Sequence, residues 1–245
     1  MYLGIGGGVL VLIVVGLYFL GSSDIGNSTP NNTAGINSGV GNSSQAKTQP
    51  ANNQSSSTVE VLPIETFASG LGLWYEEVWY KKTSSSGEVT TGNGINFKST
   101  EGNTRSGIMI DLNKDVSGFN SLTLAANVEA DTQSLSGTGW QGREAPVAIA
   151  ISYQDVSGKD HNLLGENPND PSQMFWRGFY YLDPTDNSSK TTNGIKVTQG
   201  KSYDFSFDLM SLNPKPKEIY YVAIEGAGWG PRTGRVSSIN ITGGK

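Results

Sequence analysis

The stretch GTGWQGREAP, residues 137–146, sets an indole, an amide, a guanidinium and a carboxylate among glycines: Trp140, Gln141, Arg143 and Glu144. Further along, Trp176 and Arg177 stand side by side in FWRGFYYLD. A flat apolar ring stacks on the apolar face of a sugar, and a few polar groups fix the ligand's orientation by hydrogen bonds. The segment GENPNDPSQ adds Glu166, Asn169 and Asp170 to this candidate ligand-binding rim. The same residues have a plainer use. Trp140 would cap a core and Glu144 would pair with Arg143 or Arg177, making a packed corner.

Other chemistry finds less support. There is no cysteine and a single histidine, His161, so thiolate metal sites, cysteine nucleophiles and multi-histidine metal sites are excluded. No Gly-x-Ser-x-Gly elbow surrounds a serine. In LWYEEVWYKK, residues 73–82, Glu76 and Glu77 would face opposite sides of a strand, which is wrong for a cooperating acid and base. The simpler reading puts Trp74 or Trp79 in a core. DVSGKD, residues 155–160, has carboxylates for a cation, but reads as a hairpin with Gly158 at positive φ and Asp155 bonding the local backbone. GAGWGPR, residues 226–232, offers Trp229 and Arg232 on a loop or a tryptophan folded over a domain end.

The elements that position these residues are strands. After residue 59 apolar residues recur with period two, between turn-forming residues. Leu122, Leu124, Ala126 and Val128 alternate with Thr123, Ala125, Asn127 and Glu129. Val147, Ile149, Ile151 and Tyr153 alternate with Ala148, Ala150 and Ser152. Neither set in this second run is charged, so the strand is expected to be central and covered on both faces, with Pro146 as its first residue. About ten short strands with glycine-rich turns predict an all-β, two-sheet sandwich or jelly roll. If the strands from 121 onward simply alternate in direction, loops 130–145, 166–174 and 210–217 share one end. Loops 154–159, 183–202 and 227–234 then share the other, and no single pocket joins Trp140 and Glu144 to Trp229 and Arg232.

The run REAPVAIAISYQDVSGKDHNLL, followed by FWRGFYYLD, resembles the central strands of galactose-binding-like jelly rolls. IYYVAIEGAGWGPRTGRVSSINI is similar to their closing strand pair. The resemblance covers about residues 60–243 and carries no invariant motif. It implies a β-sandwich jelly roll of the kind found in many carbohydrate-binding modules. It also leaves room for a structural calcium, with no other cofactor.

Composition bounds the partners. The formal net charge is −5, and Lys47 and Asp24 cancel, so residues 59–245 carry the same charge. A mildly acidic domain without a basic run excludes nucleic acid as a partner. Residues 2–20 hold no charge and as a helix would measure roughly 29 Å, about one bilayer core. The expectation is a transmembrane anchor or signal segment over 1–20, a disordered Ser/Asn/Gly-rich linker over 21–58, and the β-sandwich domain over 59–245. This places the domain outside the cell on a single-pass membrane helix, or secreted if the segment is cleaved. The linker and the domain carry Asn-x-Ser/Thr triplets, Asn187 and Asn240 among them.

Three functions compete on these grounds: non-catalytic carbohydrate or glycan binding, a structural or adhesive envelope protein with protein partners, and a jelly-roll enzyme acting on glycans. The aromatic and polar loops, with the resemblance, favour the first.

Overall fold

The computed structural model describes residues 57–81, 87–100, 102–139, 142–162, 173–187 and 193–245. Among them, thirteen strands form two sheets. They are β1 (Thr58–Glu65), β2 (Tyr75–Lys81), β3 (Gly87–Gly92), β4 (Gly94–Ser99), β5 (Asn103–Asp115), β6 (Ser121–Gln133) and β7 (Ala145–Asp155). Then follow β8 (Asp160–His161), β9 (Phe175–Tyr180), β10 (Gly194–Lys196), β11 (Tyr203–Asp208), β12 (Pro216–Trp229) and β13 (Arg232–Gly244).

The first sheet runs β11-β6-β13-β4-β3, with β1 continuing the β4 edge of β13. The second runs β10-β9-β7-β12-β5-β2, with β8 extending the β9 edge of β7. Every pairing is antiparallel except β10 on β9. The chain passes repeatedly from one sheet to the other, staying in one sheet only from β3 to β4 and from β7 to β10, so the two sheets close a sandwich.

Alternation explains the core. Leu122, Leu124, Val128 and Ala130 of β6 are fully buried and meet Val147, Ile149 and Ile151 of β7 in one apolar cluster. Each such aliphatic side chain contributes about 1.5–3 kcal/mol relative to exposure. Trp74 is also in this cluster, edge-on to Phe67 at 5.5 Å between centroids. β7 is central and covered on both faces, as its uncharged alternation predicts. Its second face, Ala148 and Ala150, packs into a separate apolar cluster with Trp176, Met174 and Ala223. Pro146 is the second residue of the strand rather than the first. The register with β12 shifts there, Pro146 and Val147 standing against Gly226 alone, so the residue without an N–H sits at a bulge of β7.

Asp155–Asp160 forms the expected hairpin. Asp155 Oδ1 accepts from the Ser157 amide at 2.7 Å, Ser157 Oγ at 2.5 Å and the Lys159 amide at 3.1 Å, and Gly158 has φ of 85°. His161 Nε2 closes the turn on Asp155 Oδ2 at 2.8 Å, its ring stacked on Tyr153.

Two expectations are corrected. The first concerns a transmembrane or signal helix, membrane attachment through it, and single-pass placement in a cell membrane. Among the described residues no helix is long and apolar enough to cross a membrane. Spanning needs about 20 helical residues, and the helix at Leu209–Ser211 is a single 3-10 turn. Residues 1–20 and most of the linker lie outside the described residues.

The second correction concerns strand direction. β8 and β9 both pair antiparallel with β7, so they run the same way along one lane. Parity therefore shifts by one after β8. Loop 134–144 shares its end of the sandwich with the β12–β13 turn, while the 156–159 turn meets the 210–217 loop through the Val156 amide on Lys215 O at 3.0 Å.

Candidate functional site

The second sheet turns one face to the core and the other outward, and cross-strand register sets what the outward face carries. Tyr75 of β2 stands opposite Met109 of β5, Met109 opposite Ala223 of β12, Ala223 opposite Ala150 of β7, and Ala150 opposite Trp176 of β9. This single row crosses five strands, roughly 19 Å at 4.8 Å per step. The row on one side is Gly107, Glu225, Ala148 and Gly178. The row on the other is Asp111, Tyr221 and Ser152. Small residues thus make the floor, aromatic residues stand on it, and carboxylates flank it.

Trp176 spans this floor. Its indole lies over Gly178, where a Cβ would collide with the ring. Its Nε1 donates to Glu225 Oε1 at 3.0 Å, two strands away. Only alanine between them, at Ala148 and Ala150, leaves room for the ring to lie flat. Glu225 Oε2 sits 3.0 Å from Arg105 Nε. Tyr75 donates to Asp111 Oδ1 at 3.2 Å and keeps 39% of its surface exposed. Met109 and Tyr221 are partly buried against the small-residue floor.

Charge gathers where this face meets the end of the sandwich. Arg105 Nη2 donates to the Arg143 carbonyl at 3.3 Å. Arg143 is 8% exposed, and burial followed by the Arg105 charge lowers its pKa against the opposing pull of Glu225. Arg232 is more constrained. It donates to Gly228 O at 2.6 Å, to Gly230 O at 3.3 Å and to both oxygens of Thr104. Burial pushes its pKa down to about 10, with Glu144 and Glu225 acting against the shift. These contacts tie the β12–β13 turn to the start of β5. Beside them a shallow depression of about 10 Å³ is lined by Ser134, Glu144, Gly228, Trp229 and Arg232, so Glu144 and Trp229 share one small pit after all. Trp229 is 46% exposed.

The residues singled out in the sequence scatter over this framework. Arg143 and Trp176 come together around Glu225. Glu144 is half-buried between Gly139 and Gly228, either of which would meet it with a Cβ, and its charge faces Arg232 rather than Arg177. Arg177 points to the core side of β9. Its guanidinium lies over Phe175 at 4.5 Å and Phe207 at 5.0 Å, and Nη1 donates to Asn193 Oδ1 at 2.9 Å. Trp140, Gln141, Glu166, Asn169 and Asp170 lie outside the described residues. Tyr75, Arg105, Asp111, Tyr221 and Glu225 were not singled out, although the signal was present. Each belongs to an alternation in which the other parity is apolar, as Tyr221 and Glu225 flank Val222 and Ile224.

No catalytic set assembles among the described residues. His161 is taken up by the hairpin, and among the described residues no group of three or more His, Cys, Asp or Glu could hold a metal ion.

No protein-family model and no curated protein matches this chain. Solved structures do. The chain is similar to a family 11 carbohydrate-binding module of a cellulosomal cellulase of Clostridium thermocellum, at 12% identity and a TM-score of 0.41, over 78% of this chain and 96% of that one. It is similar to the xylan-binding module CBM15 at 17% identity and a TM-score of 0.37, over 77% and 97%. A CBM22-1 xylan-binding domain from Paenibacillus barcinonensis matches at 13% identity and a TM-score of 0.39, over 76% and 95%. Likeness at this level places no ligand on this chain.

Proposed function

We propose that residues 59–245 form a non-catalytic module that binds carbohydrate along the outward face of the second sheet. The observation that carries this reading is the row Tyr75, Met109, Ala223, Ala150 and Trp176, with carboxylates and Arg105 on its flanks. Trp176 covers the small-residue floor, so a flat ligand would meet the part of the face that stays accessible, around Tyr75, Met109 and Tyr221. Tyr75 offers a stacking surface. Asp111, Tyr221 and Glu225 offer hydrogen bonds to hydroxyls. Of the residues expected from sequence, Trp176 and Arg143 belong to this reading, Trp176 as the rigid base on which the face is built.

The test is binding of the chain to a panel of neutral and acidic polysaccharides by calorimetry, with Tyr75→Ala and Tyr221→Ala in parallel. Affinity for one polysaccharide that falls roughly 10-fold or more in Tyr75→Ala supports the reading. Binding that survives both substitutions moves the site elsewhere. A folded chain that binds nothing in the panel overturns it.

A further inference from the structure

The outward face of the first sheet carries a groove that the proposed site does not use. It has a volume of about 260 Å³ and is lined by Ala125, Asn127, Asp204, Ser206, Ser238 and Asn240, all of them half-buried or exposed. Cross-strand register builds it from two rows on β11, β6 and β13: Asp204, Asn127 and Ser238, then Ser206, Ala125 and Asn240. Three strands at 4.8 Å per step and two rows about 7 Å apart give a bed of roughly 10 by 7 Å, the scale of a single pyranose ring. Ala125 stands between Thr123 and Asn127 on this face of β6, so its methyl sinks the floor. No aromatic side chain stands on either row.

Some of its polar groups are fixed and others are free. The register shift of β13 between Val236 and Ser238 leaves Ser237 without a counterpart on β6, and this extra residue turns its hydroxyl onto Asn127 Oδ1. Ser202 Oγ donates to the same oxygen at 2.6 Å. Two hydroxyl donors on the oxygen orient the amide, and Nδ2 on its other side donates to Asp204 Oδ1 at 2.7 Å. The bulge thereby holds a carboxylate at the edge of the groove, and among the described residues Asp204 Oδ2 has no donor and no cation beside it. The side chains of Ser206, Ser238 and Asn240, which line the same groove, make no hydrogen bond among the described residues.

A hydroxyl donates and accepts at once. A sugar unit lying in the groove donates to Asp204, where a charged acceptor makes the stronger bond, and accepts from the Asn240 amide, with its C–H edge over the Ala125 methyl. A uronate or sulfate group is repelled by Asp204, so the ligand is neutral. Resting on the carbohydrate-binding reading, we infer that the first sheet carries a second site, on the opposite side of the sandwich from Tyr75. It takes one neutral pyranose unit by hydrogen bonds through Asp204 and Asn240, without aromatic stacking.

The experiment titrates the isotope-labelled chain with the methyl glycosides of glucose, galactose, mannose and xylose, each to about 100 mM, and follows the side-chain amide signals of Asn127 and Asn240 by NMR. The expected result is a saturable shift of both signals with at least one glycoside, at a Kd on the order of millimolar. Asn240→Ala, followed on Asn127, weakens it about 5-fold, and Ala125→Leu, which fills the floor, abolishes it. No saturable shift with any of the four overturns the second site, whatever the polysaccharide panel shows at Tyr75. Shifts confined to the Tyr75 and Tyr221 region overturn it too and leave the carbohydrate reading standing. A shift that persists in Ala125→Leu places the sugar outside the groove and overturns the assignment. Saturation at Asn240 with no polysaccharide bound through Tyr75 upholds the second site and overturns the first. Melting curves establish that the variants fold, and the titration of the unaltered chain decides the question in either case.

Discussion

Trp176 Nε1 donates to Glu225 Oε1 at 3.0 Å across the width of β7, and both side chains are 1% exposed. Glu225 thereby holds an indole with one oxygen and lies against Arg105 with the other. Glu225→Gln removes the charge that offsets Arg105 and Arg143. Breaking a buried ion pair costs about 3–5 kcal/mol; the Arg105 side chain is 21% exposed, so about 2–3 kcal/mol is expected here. Trp176→Phe leaves Oε1 without its donor and costs about 1–3 kcal/mol. Urea melts of the two single variants and the double variant check this. Strict additivity would show that the two side chains do not act as a unit.

Asp155 links stability to acid. Its carboxylate accepts from the Ser157 hydroxyl first and from His161 next, and these bonds hold its pKa well below the usual carboxylate range. The folded pKa lies below the unfolded one, so the contribution is fully present above about pH 4 and lost as pH falls further. Asp155→Asn is expected to lower the melting temperature clearly at pH 7 and by less at pH 2. A difference unchanged between these pH values would contradict the linkage.

Asp131 behaves in the opposite sense. On the outward side of β6, burial and then the hydrogen bond and charge of Glu129 raise its pKa to about 6. Its stabilising contribution is present below its unfolded value near 4 and lost as pH rises through 6. Asp131→Asn is therefore expected to stabilise the protein at pH 8 by at most about 1 kcal/mol, because solvent screens this partly exposed pair. At pH 4 it should change little. Thermal melts at the two pH values decide it.

Ser152 sits on β7 with no exposed surface, and its Oγ has no hydrogen-bond partner among the described residues. Ser152→Ala removes an unsatisfied hydroxyl and continues the Ala148–Ala150 row. It is expected to stabilise by roughly 1 kcal/mol. Destabilisation in a urea melt would mean that the hydroxyl is satisfied in solution.

Much of the framework was legible along the chain. The inward parity of β6, the two-sided cover of β7 and the Asp155–Gly158 hairpin are local patterns, set by side-chain alternation and turn chemistry that neighbouring residues decide together. Strand direction was not, because β8 and β9 look like two strands and occupy one lane beside β7. That misreading separated Glu144 from Trp229, which share a pit. Arg177 shows the same limit at one residue. Its neighbour Trp176 lies on the outward face, so strand parity sends the Arg177 guanidinium to the core side, over Phe175 and Phe207.

By itself, the sequence determined an all-β sandwich, because period-two alternation between glycine-rich turns has no other way to bury its apolar residues. It also determined a chain with no cysteine chemistry. Only the tertiary structure decided which polar residues meet. The row from Tyr75 to Trp176 draws on five strands, and the cluster of Arg105, Arg143, Glu225 and Arg232 on three strands and a loop. Such meetings depend on the register between strands distant in sequence, and hydrogen bonding between those strands sets it.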